Sequence, residues 1–67
     1  MNFNHEELML MRLYNTGSRL GLMQELRLMQ YYLMPDETAL RELSEGVIEK
    51  LKLITDAQFA EVEFPMD

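Results

Sequence analysis

Cysteine is absent from this chain of 67 residues, which removes two ways of holding a small protein together. Neither a disulfide nor a thiolate metal site can form, although chains of this size bury only roughly 60% of their unfolded surface and often need such support. Tryptophan is also absent, and glycine and proline number only three and two. We therefore expect one domain held by dense helical packing or by self-association; the lack of cysteine is compatible with a reducing cytoplasm.

Side chains for catalysis or metal binding are equally scarce. His5 is the only histidine, and its place in the first turn of a predicted helix indicates a solvated surface residue. No calcium-loop spacing is present, and one histidine without cysteine cannot assemble a zinc site. Ser18 and Ser44 have no partner base in the sequence, so we interpret them as a helix cap and a solvated helix residue. We expect no enzyme, and no cofactor or metal.

Long apolar runs are missing as well. No uninterrupted apolar stretch approaches the ~20 residues that a membrane span needs. The first seven residues carry Glu6 and Glu7, where an export signal would carry lysine or arginine ahead of an apolar run. We expect a soluble, cytoplasmic protein with no membrane partner.

Charge is distributed unevenly along the chain. The net charge is −6, and all of it comes from residues 35–67, which hold nine acids against Arg41, Lys50 and Lys52. An acidic half-chain repels phosphate backbones, so we expect no direct binding of nucleic acid. The usual interpretation of such acids is a solvated helix face.

The first helical pattern spans about residues 5–14 and begins at a capping box, Asn4 followed by Glu7. A short joint then separates it from the next pattern. Gly17 there favours a left-handed turn and Ser18 a helix cap, which together predict a helical hairpin. The joint is a candidate contact loop: Thr16, Gly17, Ser18 and Arg19. Arg19 would lie along apolar surface, tie the loop to a helix end, or contact an acidic partner.

Helix 2 is predicted over about residues 18–33 and carries two apolar rows. The first row is a regular core stripe: Leu22, Leu26, Met29 and Leu33. The second row lies on a different side: Leu20, Leu28, Tyr31 and Tyr32. Either helix 2 is central and packs on two neighbours, which the small size of the chain favours, or this row is exposed and available to a partner. Leu20, Leu28 and Tyr31 form the candidate partner surface.

The second half of the chain predicts two further helices. Pro35 suits the start of helix 3 over about residues 36–54, with Asp36 and Glu37 in its first turn. Gly46 interrupts its apolar stripe, yet we expect one continuous helix. A second capping box, from Thr55 to Gln58, opens a short helix over about residues 56–61, followed by a tail over residues 62–67. The prediction is an all-α fold, a small three-helix domain with a short fourth C-terminal helix.

A resemblance to a known family covers almost the whole chain. It is carried by residues at helix caps and core positions: Phe3, Glu6-Glu7-Leu8, Leu10-Met11, Tyr14 through Arg19, Leu22, Glu25-Leu26, Met29, Pro35-Asp36-Glu37-Thr38, Leu40, Leu43, Ile48 through Leu51, and Thr55 through Ala60. The chain resembles the putative transposon-transfer assisting protein family, small helical proteins encoded on conjugative transposons of Gram-positive bacteria. The resemblance implies an accessory role in transfer and brings no catalytic residues.

Two functions from different classes remain open. The first is a non-enzymatic accessory protein of a conjugative transposon that acts through contacts with an unknown protein partner. The second is an acidic decoy or anti-regulator that binds the basic surface of a DNA-binding protein, as the charge of residues 35–67 suggests. We expect a monomer or a weak homodimer.

Overall fold

The structure, a computed structural model, describes residues 3–65. Four helices follow one another in this part of the chain: α1 (His5–Tyr14), α2 (Arg19–Tyr31), α3 (Thr38–Leu53) and α4 (Asp56–Ala60). Within residues 3–65 there is no strand. The predicted all-α fold, with three longer helices and a short fourth, is confirmed. The tail predicted over residues 62–67 includes Met66 and Asp67, which lie outside the described residues.

The starts of α1 and α4 are fixed by reciprocal side-chain caps. The Asn4 side chain accepts from the Glu7 backbone N–H at 2.8 Å, and the Glu7 carboxylate accepts from the Asn4 backbone N–H at 2.9 Å. Thr55 and Gln58 form the same arrangement at α4. Each box satisfies N–H groups that a helix start otherwise leaves without partners, so the sequence fixes these two starts locally.

The end of α2 and the start of α3 differ from the predicted ranges. Helix α2 ends at Tyr31, where the Tyr32 N–H bonds back to the Met29 carbonyl at 3.0 Å and tightens the last turn. Pro35 and Asp36 lie in a turn, closed by the Glu37 N–H on the Met34 carbonyl at 3.0 Å.

The prediction that Asp36 and Glu37 occupy the first turn of helix 3 is wrong, because that helix begins at Thr38. The Glu37 carboxylate points back instead and accepts from the Met34 N–H at 2.9 Å. It thereby stabilises the turn. Glu37 occupies the N-cap position of α3, but its side chain makes no capping hydrogen bond to that helix.

Helix α3 is the element against which α1 and α2 both pack. Glu7 of α1 meets Lys50 near the end of α3, whereas Tyr14 and Leu40 line one groove at its start. Arg19 of α2 likewise reaches the Leu51 carbonyl. Both α1 and α2 therefore run opposite to α3. Helices α1 and α2 touch each other, but because both run opposite to α3 they run in roughly the same direction, so the predicted helical hairpin is wrong.

The core lies between the three longer helices and is closed by α4. Its fully or almost fully buried residues are Leu10, Met11, Leu22, Leu26, Val47, Ile48, Leu51, Ile54 and Phe59. Phe59 is the anchor of α4, as its sequence position indicates, and it meets Phe64 of the tail edge to face, with ring centroids 6.4 Å apart. Because every helix contributes to one cluster, α4 and the tail are held against the same core.

Ser44 is a buried member of α3, which corrects its interpretation as a solvated residue. Its hydroxyl accepts from the Gln30 side chain at 2.7 Å and donates to the Arg41 carbonyl at 2.9 Å. A buried hydroxyl is tolerated when it is hydrogen-bonded in this way. The pair also ties the end of α2 to the first half of α3.

Candidate interaction surface

The outer face of α2 carries large apolar side chains that no other element covers. Leu20 is 59% exposed, Leu28 53%, Tyr31 82% and Tyr32 74%. The opposite face holds Leu22 and Leu26, which are fully buried. Helix α2 contacts both α1 and α3. The expectation favoured by chain size, that these contacts also cover the second apolar row, is wrong.

The candidate residues of this face are not one continuous patch. Leu20 and Tyr31 lie about three helical turns apart on the same side of α2, and exposed Gln24 and Arg27 stand between them. Leu28 is offset toward α1 and shares a groove with Tyr14. The apolar density is highest at the C-terminal end, where Tyr31 and Tyr32 pack edge to face with centroids 5.5 Å apart.

The joint between α1 and α2 has the geometry that its residues predict. Gly17 has φ of +98°, a conformation that disfavours side chains with a Cβ, and its N–H donates to the Asn15 side chain at 2.9 Å. Ser18 caps α2 by accepting from the Gly21 N–H at 3.0 Å. A Cβ at Gly21 would overlap the Thr16 hydroxyl, a close approach that local sequence signals do not reveal.

Arg19 ties three elements together. Its Nε donates to Asp56 Oδ1 at 2.8 Å, and one Nη donates to the Leu51 carbonyl at 2.9 Å and approaches the Met23 sulfur at 3.8 Å. Of the roles expected for Arg19, the structure shows the one in which it ties the loop to a helix end. The basic group satisfies a carbonyl at the C-terminus of α3 and meets an acid at the N-terminus of α4, both favourable positions for the helix dipoles.

Three of the four contact-loop candidates meet α4 at one groove. Gly17, Ser18 and Arg19 line an open depression of about 580 Å³ together with Leu20 and residues of α4 and the tail; Thr16 does not line it. Leu28 and Tyr31 lie farther along α2, away from this depression. The structure therefore separates the predicted surface into a loop end and a tyrosine end.

An ion pair between a buried carboxylate and a partly exposed lysine was missed by sequence reasoning. Lys50 Nζ lies 2.6 Å from Glu7 Oε1, and the Lys50 ammonium also stands 5.7 Å above the centroid of the Phe3 ring. Gly46 faces the same carboxylate, and a Cβ there would lie 3.4 Å from Glu7 Oε2, an ordinary van der Waals contact. The sequence signals the capping role of Glu7, but it does not signal the pairing with Lys50, which lies 43 residues away.

The described residues offer no assembled reaction centre. His5 is exposed at the start of α1, and no group of three or more histidine, cysteine, aspartate or glutamate side chains in residues 3–65 is placed to hold a metal ion. None of the helices in this part of the chain combines the length and apolar character needed to cross a membrane. What the geometry presents is exposed apolar surface and open grooves between helices.

Comparison with known proteins identifies a family over nearly the full sequence. No match was found among curated proteins or among solved structures. A family model described as putative transposon-transfer assisting protein matches residues 3–65, which include all four helices and both capping boxes. The chain therefore belongs to the putative transposon-transfer assisting protein family.

Proposed function

We propose that this chain is a non-enzymatic accessory protein of a conjugative transposon, acting in the cytoplasm through contacts with a protein partner during transfer. The description of the family to which the chain belongs supports the transfer-assisting role. The observation that carries the mode of action is the exposed outer face of α2. Leu28 and Tyr31 are more than half exposed on a helix whose Leu22 and Leu26 are fully buried.

The apolar face supports a binding role for a physical reason. Tyrosine and leucine side chains exposed on a small monomer leave apolar area in water, and aromatic anchors are among the residues that dominate protein interfaces. Tyr31 and Tyr32 hold each other edge to face, so part of the ordering cost of an interface is already met before a partner arrives.

A second candidate function rests on charge. An acidic decoy would place the carboxylates of α3 against a basic groove of a DNA-binding protein. Glu42, Glu45 and Glu49 are exposed on α3 and support it. Salt dependence separates the two: a decoy held by charge dissociates as ionic strength rises, whereas an apolar interface at Tyr31 changes little.

The test of the leading proposal is a mating assay. A donor carrying the parent element with this gene deleted should transfer less often, and the wild-type gene supplied in trans should restore transfer. The double variant Leu28→Glu with Tyr31→Glu should fail to restore it, whereas Gln24→Glu with Arg27→Gln, at neighbouring exposed positions, should restore it. Unchanged transfer on deletion would refute the proposal.

A further inference from the structure

Two open grooves on the α1 side of the molecule meet at Leu40. One lies between the end of α1, the second half of α2 and the start of α3, holds about 390 Å³, and is apolar apart from Glu25. The other lies between α1 and α3 and holds about 560 Å³. Leu40 lines both. We call these two adjoining grooves the channel; together they are lined by residues of all three longer helices.

The channel has carboxylates on its walls and no lysine or arginine. Glu25 lines the first groove, and Glu6, Glu7 and Glu42 line the second. Glu7 is paired with Lys50, but Glu6, Glu25 and Glu42 make no ion pair with any residue between positions 3 and 65. Their negative charge is therefore available to a ligand of opposite sign.

Exposed apolar side chains line the first groove and also lie next to the channel. Leu28 and Tyr32 form one wall of the first groove and are 53% and 74% exposed. Leu13 is 77% exposed and lies seven residues from Glu6, hence on the same side of α1. A ligand in the channel would gain contact with apolar side chains along its length while passing carboxylates at its edges.

We propose that this channel is the docking site for a cationic amphipathic helix of a partner protein. The proposal deepens the proposed function and rests on it, since it names the chemistry of the partner. Helices that bind grooves do so with apolar residues at positions i, i+3 or i+4, and i+7, and their basic flanks match acidic rims.

Charge selects this occupant over two others. A second copy of this chain carries the same net charge of −6, which opposes its approach to an acidic channel. Nucleic acid would bring phosphates against Glu6, Glu25 and Glu42. A basic helix is the occupant whose apolar face and charge both fit the walls.

The binding test uses two defined synthetic peptides of about 18 residues. Both place leucines along one helical face; the first carries lysines on its flanks and the second carries glutamates at the same positions. Titration of the labelled full chain, followed by amide chemical shifts and by calorimetry, should show binding of the lysine peptide alone. The shifts should concentrate at Leu28, Tyr32, Leu40 and Leu43. Raising salt from about 0.1 M to about 1 M should weaken binding, as the screening length falls to about 3 Å.

Two matched variants separate the site from overall charge. Glu25→Lys with Glu42→Lys reverses two channel acids, and Glu45→Lys with Glu63→Lys reverses two exposed acids that do not line the channel. Net charge changes equally in both. The channel variant should bind the lysine peptide about tenfold more weakly, and the control variant should change much less. Melting curves of both verify that the fold is retained.

Each contrary result overturns the docking site. The docking site is refuted if neither peptide binds, if both bind equally, or if the two variants lose binding equally. It is also refuted if the chemical shifts change outside the channel. Channel shifts that depend only on protein concentration would report a second copy and refute it as well. The proposed function is judged separately by the mating assay. Peptide binding with normal transfer on deletion would keep the docking site and refute the transfer role; reduced transfer without peptide binding would do the reverse.

Discussion

Lys50 forms an ion pair with Glu7, the only buried acidic side chain among residues 3–65. The Lys50 Nζ lies 2.6 Å from Glu7 Oε1. The two partners are unequally buried: the Glu7 side chain is 7% exposed and that of Lys50 31%. Glu7 is also the residue that completes the cap of α1 through the Asn4 N–H. The Glu7 carboxylate therefore caps the start of α1 and also joins α1 to α3.

The first prediction follows from this asymmetry. Lys50→Ala should destabilise the fold by roughly 1–3 kcal/mol, because it leaves the poorly hydrated Glu7 carboxylate without its counterion. Glu7→Gln should cost less, since a neutral amide oxygen can still accept from the Asn4 N–H and Lys50 can reach water. Urea denaturation of both variants measures the difference.

Lys52→Ala is the control for that experiment. Its partner Glu49 is three residues away, and both side chains are about half exposed. Surface pairs of this kind contribute about 0–1 kcal/mol, so this variant should unfold almost as the wild type does. A cost for Lys50→Ala no larger than that for Lys52→Ala would contradict the role given to the buried pair.

A second prediction concerns the core stripe of α2. Leu26 is fully buried, so Leu26→Ala should destabilise the protein by roughly 2–4 kcal/mol through lost burial and the cavity left behind. Leu28→Ala, two residues along and 53% exposed, is the matched control and should cost about 0.5 kcal/mol or less. Similar costs for both would mean that the helix faces have been assigned the wrong way round.

A third prediction compares two glycines. Gly17→Val forces a β-branched residue into a left-handed turn with φ of +98° and should cost about 1–2 kcal/mol or more. Gly46→Ala should range from neutral to stabilising by up to about 1 kcal/mol, because α3 is continuous there and the nearest atom to the new Cβ, Glu7 Oε2, lies 3.4 Å away. Thermal melts that rank them in the other order would argue against the strained turn.

A fourth prediction assigns the docking of α4 to Arg19. Arg19→Met removes donors to both the Leu51 carbonyl and Asp56, so amide hydrogen exchange in α4 should accelerate while α1 is little affected. Asp56→Asn is the control: the Asp56 side chain is 84% exposed, so losing its charge should have a smaller effect. Equal acceleration in the two variants would place the tie in the ion pair rather than at the carbonyl.

The sequence predicts features that are set within one helical turn. Asn4 and Glu7 are three residues apart, as are Thr55 and Gln58, and such a pair forms its hydrogen bonds as soon as the first turn forms. Gly17 is similarly local, since the left-handed conformation depends on the residue itself. Helix existence and the main core stripes follow from the same short-range spacing.

Features that depend on how helices pack were not accessible in that way. Ser44 is buried because Gln30 of another helix reaches it, and nothing in the neighbourhood of Ser44 in sequence signals that contact. Helix α3 starts later than predicted because the Glu37 side chain accepts a hydrogen bond from the Met34 N–H in the preceding turn. The exposure of the second row of α2 likewise depends on which helix is central, a tertiary property that periodicity alone does not determine.

The last prediction tests that exposed row directly. Leu28→Glu with Tyr31→Glu should leave the fold intact, because both side chains are more than half exposed and lie away from the buried Leu22 and Leu26. Circular dichroism and melting should change little, whereas binding of the partner recovered with the wild-type chain should be lost, since apolar and aromatic anchors dominate interfaces. The matched variant Gln24→Glu with Arg27→Gln keeps Leu28 and Tyr31 and should retain binding. Unfolding of the Leu28/Tyr31 variant would mean that the row is part of the core, and retained binding with an intact fold would move the partner surface elsewhere.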